Sequence, residues 1–318
     1  MIVTDIVTEF GAYYKNIGQN LADLYQALYG QTDTTKYMTT KVVNGTQWQA
    51  SKSTIGQVLQ PFHKNFTPTD GPEFTPRVIQ LFHHKIDLLE APDDLEATWL
   101  GFLADNNVSR KEWPYIKWLL QAHVMPKAAA DYEKSEIYWG EYAAPLGVVP
   151  GAAGTSMDGL EKLIADAIVG GTMTAITTGA IETVAADFCT QVEEFADGII
   201  DINEDYANIP MNIHMSKKLA QRYARGYRAK YGKDMDFTAG STQTRIDSNF
   251  TIVGLSSMVG SDRMFATTKE NLVDLKFRET RKDVFDIQPS DRNVKILGDF
   301  WRGAGFIIDE IVFPNEQV

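Results

Sequence analysis

The chain has 318 residues, 44% of them hydrophobic, 11% aromatic and 23% charged, and its 30 Lys and Arg against 42 Asp and Glu leave a formal charge of −12. This composition is too apolar for a disordered chain, and no apolar run reaches the ~18 residues of a helical membrane span. A pI near 4.9 excludes a generic nucleic-acid binder, which draws its affinity from basic residues, and the single cysteine, Cys189, excludes an intramolecular disulfide and a cysteine-cluster metal site.

Met1–Phe10 carries no basic segment ahead of an apolar core, so it does not read as a secretory signal, and folding is expected in the cytoplasm. Ile6, Phe10, Tyr13, Ile17, Leu21, Leu24 and Leu28 recur at helical spacing, with Gly30 as a stop. Gln31–Ser53 is rich in Thr, Ser, Gln and Lys and reads as an extended arm that needs a partner, or as a surface loop. A strand-like piece at Gln57–Phe66, a turn-rich Thr67–Pro76 and a β-like Arg77–Leu89 predict a long hairpin. Val78, Gln80, Phe82 and His84 would share one face, and Ile79, Leu81 and His83 the other. Such a hairpin is marginal alone and must lie on this chain's body or on a neighbour.

Ser109 and Glu112 match a capping box ahead of a helix through Trp113, Ile116, Leu119, Leu120 and Val124, which continues past a bend at Pro126 to Trp139 and Gly140. Pro145–Gly159, with two prolines and four glycines, reads as a crossing between subdomains. Helices are predicted at Leu160–Val169 and Ile181–Ile199, a strand over Ile209 to Met215, and a Ser216-capped helix that stacks Leu219, Tyr223, Tyr227 and Tyr231 and ends at Gly232. The last third predicts strands at Phe250–Leu255, Arg263–Thr268, Leu272–Arg278, Val294–Leu297 and Phe306–Phe313. Helices early and strands late make the class α+β.

Catalytic signatures fail one by one. Gly151–Ser156 lacks the lysine of a phosphate-binding loop, and Gly254–Met258 lacks the second glycine of a nucleophile elbow. Adjacent His83 and His84 face opposite sides of a strand and cannot share a metal; His63, His123 and His214 are isolated, and Cys189 has no basic neighbour to activate it. No enzyme activity, cofactor or metal is expected.

One charge pattern stands out. No Lys or Arg falls between Leu163 and Ser216, which hold nine acidic residues, Asp166, Glu182, Asp187, Glu193, Glu194, Asp197, Asp201, Glu204 and Asp205. Lys217, Lys218, Arg222, Arg225, Arg228, Lys230 and Lys233 then follow with no acidic residue among them. A nucleic-acid surface would use these cations with tyrosines as stacking groups. The chain's overall acidity favours instead a contact between the acidic and basic elements, within one subunit or between two.

This order of elements resembles the major capsid proteins of tailed phages, the Hong Kong phage fold shared with encapsulins. The matching pieces are an arm, Met1–Ser53, a hairpin or extended loop, Gln57–Leu89, and a spine helix, Ser109–Trp139. Two local matches carry it further: Ile209–Arg228 as a strand with a Ser-capped helix, and Phe250–Leu275 with Val253, Gly254, Met258, Phe265, Ala266, Thr267, Asn271 and Leu272.

The resemblance implies an arm at 1–53, an extended hairpin loop at 54–95, a peripheral domain with the spine helix at 96–150, an axial domain at 151–275 and return strands at 276–318. It implies a structural protein that self-assembles through hexamers and pentamers into an icosahedral head around double-stranded DNA held without sequence specificity, made in the host cytoplasm and resident in the virion. Separate scaffolding and portal proteins, with or without decoration proteins, would be its partners, and no membrane is involved. The subunit interface would use Asp70, Gly71 and Pro72 at the hairpin tip, and Lys217, Lys218, Arg222, Arg225 and Arg228 against Glu193 and Glu194. An encapsulin-like cargo shell and a small-oligomer enzyme without a recognisable motif are the alternatives.

Overall fold

The computed structural model describes residues 5–8, 32–231, 243–245, 249–278 and 285–316. The helical stripe predicted from Phe10 to Leu28, and Gly232 and Lys233 at the end of the basic helix, lie outside the described residues. Residues 5–8 are helical, and Ile6 is buried in a core with the first long helices.

Strand β1 (Thr39–Val43) leads into β2 (Gln47–Thr54) and β3 (Glu73–Gln80), which pair antiparallel from Gln47↔Gln80 to Thr54↔Glu73. At ~3.3 Å per residue this ribbon projects about 26 Å, and residues 55–72 close its far end. The hairpin therefore starts earlier than the sequence predicts. Gln57–Phe66, expected as its first strand, belongs to the tip, and the actual first strand lies inside the expected arm. Gln47–Thr54 alternates half-buried Trp48, Ala50 and Lys52 with exposed residues, but only two of these are apolar, so the alternation is faint in the sequence.

After a break at Leu81, β4 (Phe82–Glu90) begins with its alternation reversed. Ile79 and Leu81 are buried before the break, Phe82 and His84 after it, so Val78 and Gln80 do not share a face with Phe82 and His84 as expected. His83 and His84 do point to opposite sides, one exposed and one buried.

Helix α1 (Pro92–Asp105) was not among the sequence expectations, although Pro92 at its start and Asp93 and Asp94 in its first turn are start signals. The Ser109 and Glu112 box forms, with the Ser109 hydroxyl donating to Glu112 Oε2 at 2.9 Å, but it closes a turn. Pro114 then precedes the long helical run: α2 (Tyr115–Trp118), a π-turn over Leu119–Val124, α3 (Met125–Asp131) and a second π-turn over Tyr132–Glu136. Pro126 does not break the run. The π-turn ahead of it, in which the Met125 N–H donates to Leu120 O, takes up the irregularity that a missing N–H imposes.

Past an irregular 140–159 come α4 (Leu160–Val169), α5 (Ala185–Ile202), β5 (Met211–Ser216), α6 (Lys217–Tyr231), β6 (Gln243–Arg245), β7 (Phe250–Leu255), β8 (Phe265–Thr267), β9 (Leu272–Phe277), β10 (Phe285–Ser290), β11 (Asn293–Phe306) and β12 (Phe313–Pro314). β11 is far longer than the expected Val294–Leu297. The expected final strand Phe306–Phe313 is interrupted by a 3-10 turn at Asp309–Ile311, after which Phe313 and Pro314 pair with β8.

One sheet runs β1-β9-β11-β10 with β4 also on β11, and the other runs β12-β8-β5-β7-β6. Strands β5 and β7 are parallel, with α6 as their crossover. The long helical run packs with α1 and β10–β11 at its start, and with α4, β7 and the end of β11 at its finish, so it spans two cores. A third core lies between α5, α6 and the second sheet.

Candidate assembly surfaces

Buried polar contacts hold the body as one unit. Arg302 and Asp274, 1% and 0% exposed, pair through Nε to Oδ1 at 3.1 Å and a second N–H to Oδ2 at 3.2 Å. The guanidinium lies 3.7 Å from the Tyr132 ring centroid, and the Tyr132 hydroxyl donates to Asp274 at 3.3 Å, which ties the long helical run to β9 and β11. Ahead of β1, Asp33 accepts from Lys217 and Ser256, while the Thr34 hydroxyl donates to buried Glu133 at 2.6 Å and meets Ser257 at 2.6 Å. The root of the arm is thus clamped to the long helical run, to the turn after β7 and to the start of α6.

The hairpin leaves this body on two anchors, Lys52 to Glu310 and Arg77 to Asp309 at 2.9 Å. Its tip is closed by Gln60 and Thr67, whose side chains exchange a 2.8 Å hydrogen bond. Asp70, Gly71 and Pro72 are exposed there, as is the rest of the tip. The sequence reading missed the apolar part of the tip: Leu59, Phe62 and Phe66 are 86%, 93% and 91% exposed, with Ile55, Val58 and Phe74 beside them. Leaving so much apolar surface in water is costly for an isolated subunit, and such clusters mark contact sites. Their signal was present in the sequence, as apolar residues without a period in a segment rich in turn residues.

The acidic and basic helices pack on each other as a layer over the second sheet. Gly226 permits it, because a Cβ there would sit 1.9 Å from Ala185 O. Lys230 donates to Glu193 at 2.7 Å and Tyr231 donates to the same carboxylate at 2.8 Å. Hydrogen bonding of Lys230 with Glu193 and Tyr231 outweighs desolvation and raises the Lys230 pKa. Arg222 donates to Glu182 O at 2.6 Å and lies over the Phe188 ring. The structure therefore brings Glu193, Arg222 and Lys217 into contacts within one chain, while the exposed surface carries Glu194, Lys218 and Arg225.

The glycine-rich crossing, Cys189 and His214 are each held in internal contacts or buried. Gly154 and Ser156 N–H, in the glycine-rich crossing, donate to the Glu136 carboxylate at 2.8 and 3.1 Å, which fills the position an anion would take. Burial, with Glu193 adding, pushes the Cys189 thiol up to about 12, as expected for an inert core cysteine. His214 is fully buried against Phe265 and Tyr37, and burial lowers its pKa to about 3. No group of three or more metal-ligating side chains occurs among the described residues, and no described helix is long and apolar enough to cross a membrane. An open cavity of about 560 Å³ lies at the end of the long helical run beside Trp139, Tyr142 and Thr155.

No protein-family model matches the chain, and no curated protein matches it. Solved structures do. A chain of the procapsid of satellite phage P4, which includes the size determination protein, superposes with a TM-score of 0.57 at 13% identity over 99% of this chain and 98% of its own. The capsid of the myovirus phage XM1 matches with a TM-score of 0.55 at 11% identity over 91% and 92%. The capsid of an empty GTA particle matches with a TM-score of 0.52 at 12% identity over 89% and 88%. At this identity the likeness is one of fold, and the chain has the phage capsid fold across nearly its whole length.

Proposed function

We propose that the chain is a major capsid protein that assembles through five- and sixfold capsomers into an icosahedral phage head around double-stranded DNA. The observation that carries this reading is the projecting hairpin, whose Leu59, Phe62 and Phe66 are left exposed by the other described residues and become buried if the tip lies across another copy. A match over nine-tenths or more of both chains to two capsid-fold structures supports it. In this reading 54–95 forms the extended loop, with its first strand reaching back to Gln47, 96–150 the peripheral domain with its spine helix, and 151–275 the axial domain.

Asp70, Gly71 and Pro72 would meet a neighbour, as would the outward members of the charged helices. Scaffolding and portal proteins would act as separate partners during assembly in the host cytoplasm, and the shell would perform no catalytic step. A net charge of −12 would keep packed DNA from adhering to the wall.

Size-exclusion chromatography and sedimentation of the full chain, alone and co-expressed with a scaffolding protein, test this. Megadalton particles or ring-shaped precursors are expected. A monomer or dimer under every condition contradicts the reading.

A further inference from the structure

We infer that the outward faces of α5 and α6 are a docking surface for a second copy of this chain, with the basic stripe of α6 on one subunit seated against the acidic stripe of α5 on another. This rests on the shell reading above and assigns the residues of one of its contacts.

The two stripes follow from helical periodicity. On α6, Lys218, Gln221 and Arg225 recur at steps of 3 and 4 and are all exposed, opposite buried Leu219, Tyr223 and Tyr227. On α5, Asp187, Glu194, Asp197 and Asp201 recur at steps of 7, 3 and 4 and are all exposed, opposite buried Phe188, Val192, Phe195 and Ile199. The charges that could have neutralised one stripe with the other inside a subunit are used differently. Arg222 and Lys230 reach sideways to Glu182 O and Glu193, where they stitch the two helices together. Both stripes lie opposite the buried faces of their helices, away from the core.

Occupancy by a second copy follows from charge complementarity, since each copy carries both signs at matching helical spacing. A polyanion fits worse. Packed helices lie ~8–10 Å apart, so a nucleic-acid backbone on the α6 stripe would run within about one Debye length of four carboxylates on α5.

Two charge-reversed variants of the full chain test the inference. Lys218→Glu with Arg225→Glu makes the whole outer face acidic, and Glu194→Lys with Asp197→Lys makes it more basic. Each alone should keep its melting temperature and lose particle yield by at least about tenfold, because like charges now face each other. Co-expression of the two variants should restore assemblies, even-numbered rings included, that contain both. Wild-type yield from either variant alone, or no rescue from two folded variants, overturns the inference. So does a variant that assembles normally but loses DNA retention, which would make the stripe a DNA contact.

As a second measurement, Lys218→Gln with Arg225→Gln should blunt the loss of assembly between ~0.05 and ~0.5 M salt. An unchanged salt response counts against the contact. If the unmodified chain forms no particle at all, the shell reading fails by itself, and sedimentation equilibrium decides the contact separately. Salt-sensitive self-association that the reversals abolish supports it, and a strict monomer overturns it.

Discussion

The Arg302 and Asp274 pair concentrates the cost of error in one place. Both groups are out of water, and a bidentate contact, a tyrosine hydroxyl and a tyrosine ring satisfy them together. Asp274→Ala leaves the guanidinium buried without its counter-charge and should cost about 3–5 kcal/mol in denaturant unfolding of the unassembled subunit. A loss below about 1 kcal/mol would mean that water reaches the site.

His214 and His84 set the response to acid. Burial lowers His214 to about 3; burial, with the nearby charges of Arg302 and His83, lowers His84 to about 4. Below 6.5 the unfolded imidazoles take up protons that the folded ones refuse. Stability therefore falls as pH drops from 6.5 toward the folded values, by roughly 1.4 kcal/mol per pH unit for each group. Melting temperature between pH 6.5 and 5 should decline for the native chain and decline about half as steeply in His214→Leu, since one of two titrating groups is removed. Asp33 acts lower on the scale. Burial raises its pKa, but hydrogen bonds from Lys217 and Ser256 and the Lys217 charge outweigh that, so the arm-root clamp persists at neutral pH and is lost only below the ordinary carboxylate range.

Elements were legible in proportion to how regularly they bury one face. Leu160–Val169, the Lys217–Tyr231 helix and Phe250–Leu255 follow the periodicity of their residues closely. β11 did not, because Gly298, Gly303 and Gly305 break its apolar pattern. Those glycines are there for close packing: a Cβ at Gly303 would lie 2.5 Å from Gln80 O, and one at Gly305 2.8 Å from the Ile79 side chain. The first hairpin strand was faint for a different reason, since its half-buried face carries only Trp48 and Ala50 as apolar residues.

Two predictions belong at this scale. Gly226→Ala forces α6 away from Ala185 O and should destabilise the subunit by about 1–3 kcal/mol in thermal or denaturant unfolding. Phe62→Ser with Phe66→Ser should leave the melting temperature of the subunit unchanged while particle yield collapses; normal assembly would show that the tip is ornamental.

For the molecule as a whole, the excess of acidic charge turns out to be distributed with purpose. Part of it stitches α5 to α6, part clamps the arm root to α6, and a further part, Asp187, Glu194, Asp197 and Asp201, lies exposed along α5. The fold class and the presence of a reaching hairpin were legible from element order. The division of the charged helices into inward and outward sets was not, because it depends on which side of each helix faces its neighbour. The measurement that tests the central claim most directly is a cryo-electron microscopy reconstruction of particles from cells expressing the full chain with a scaffolding partner. The account predicts a closed shell with fivefold vertices in which residues 55–72 of every subunit lie on another copy. Discrete small oligomers with the tip in solvent would contradict it.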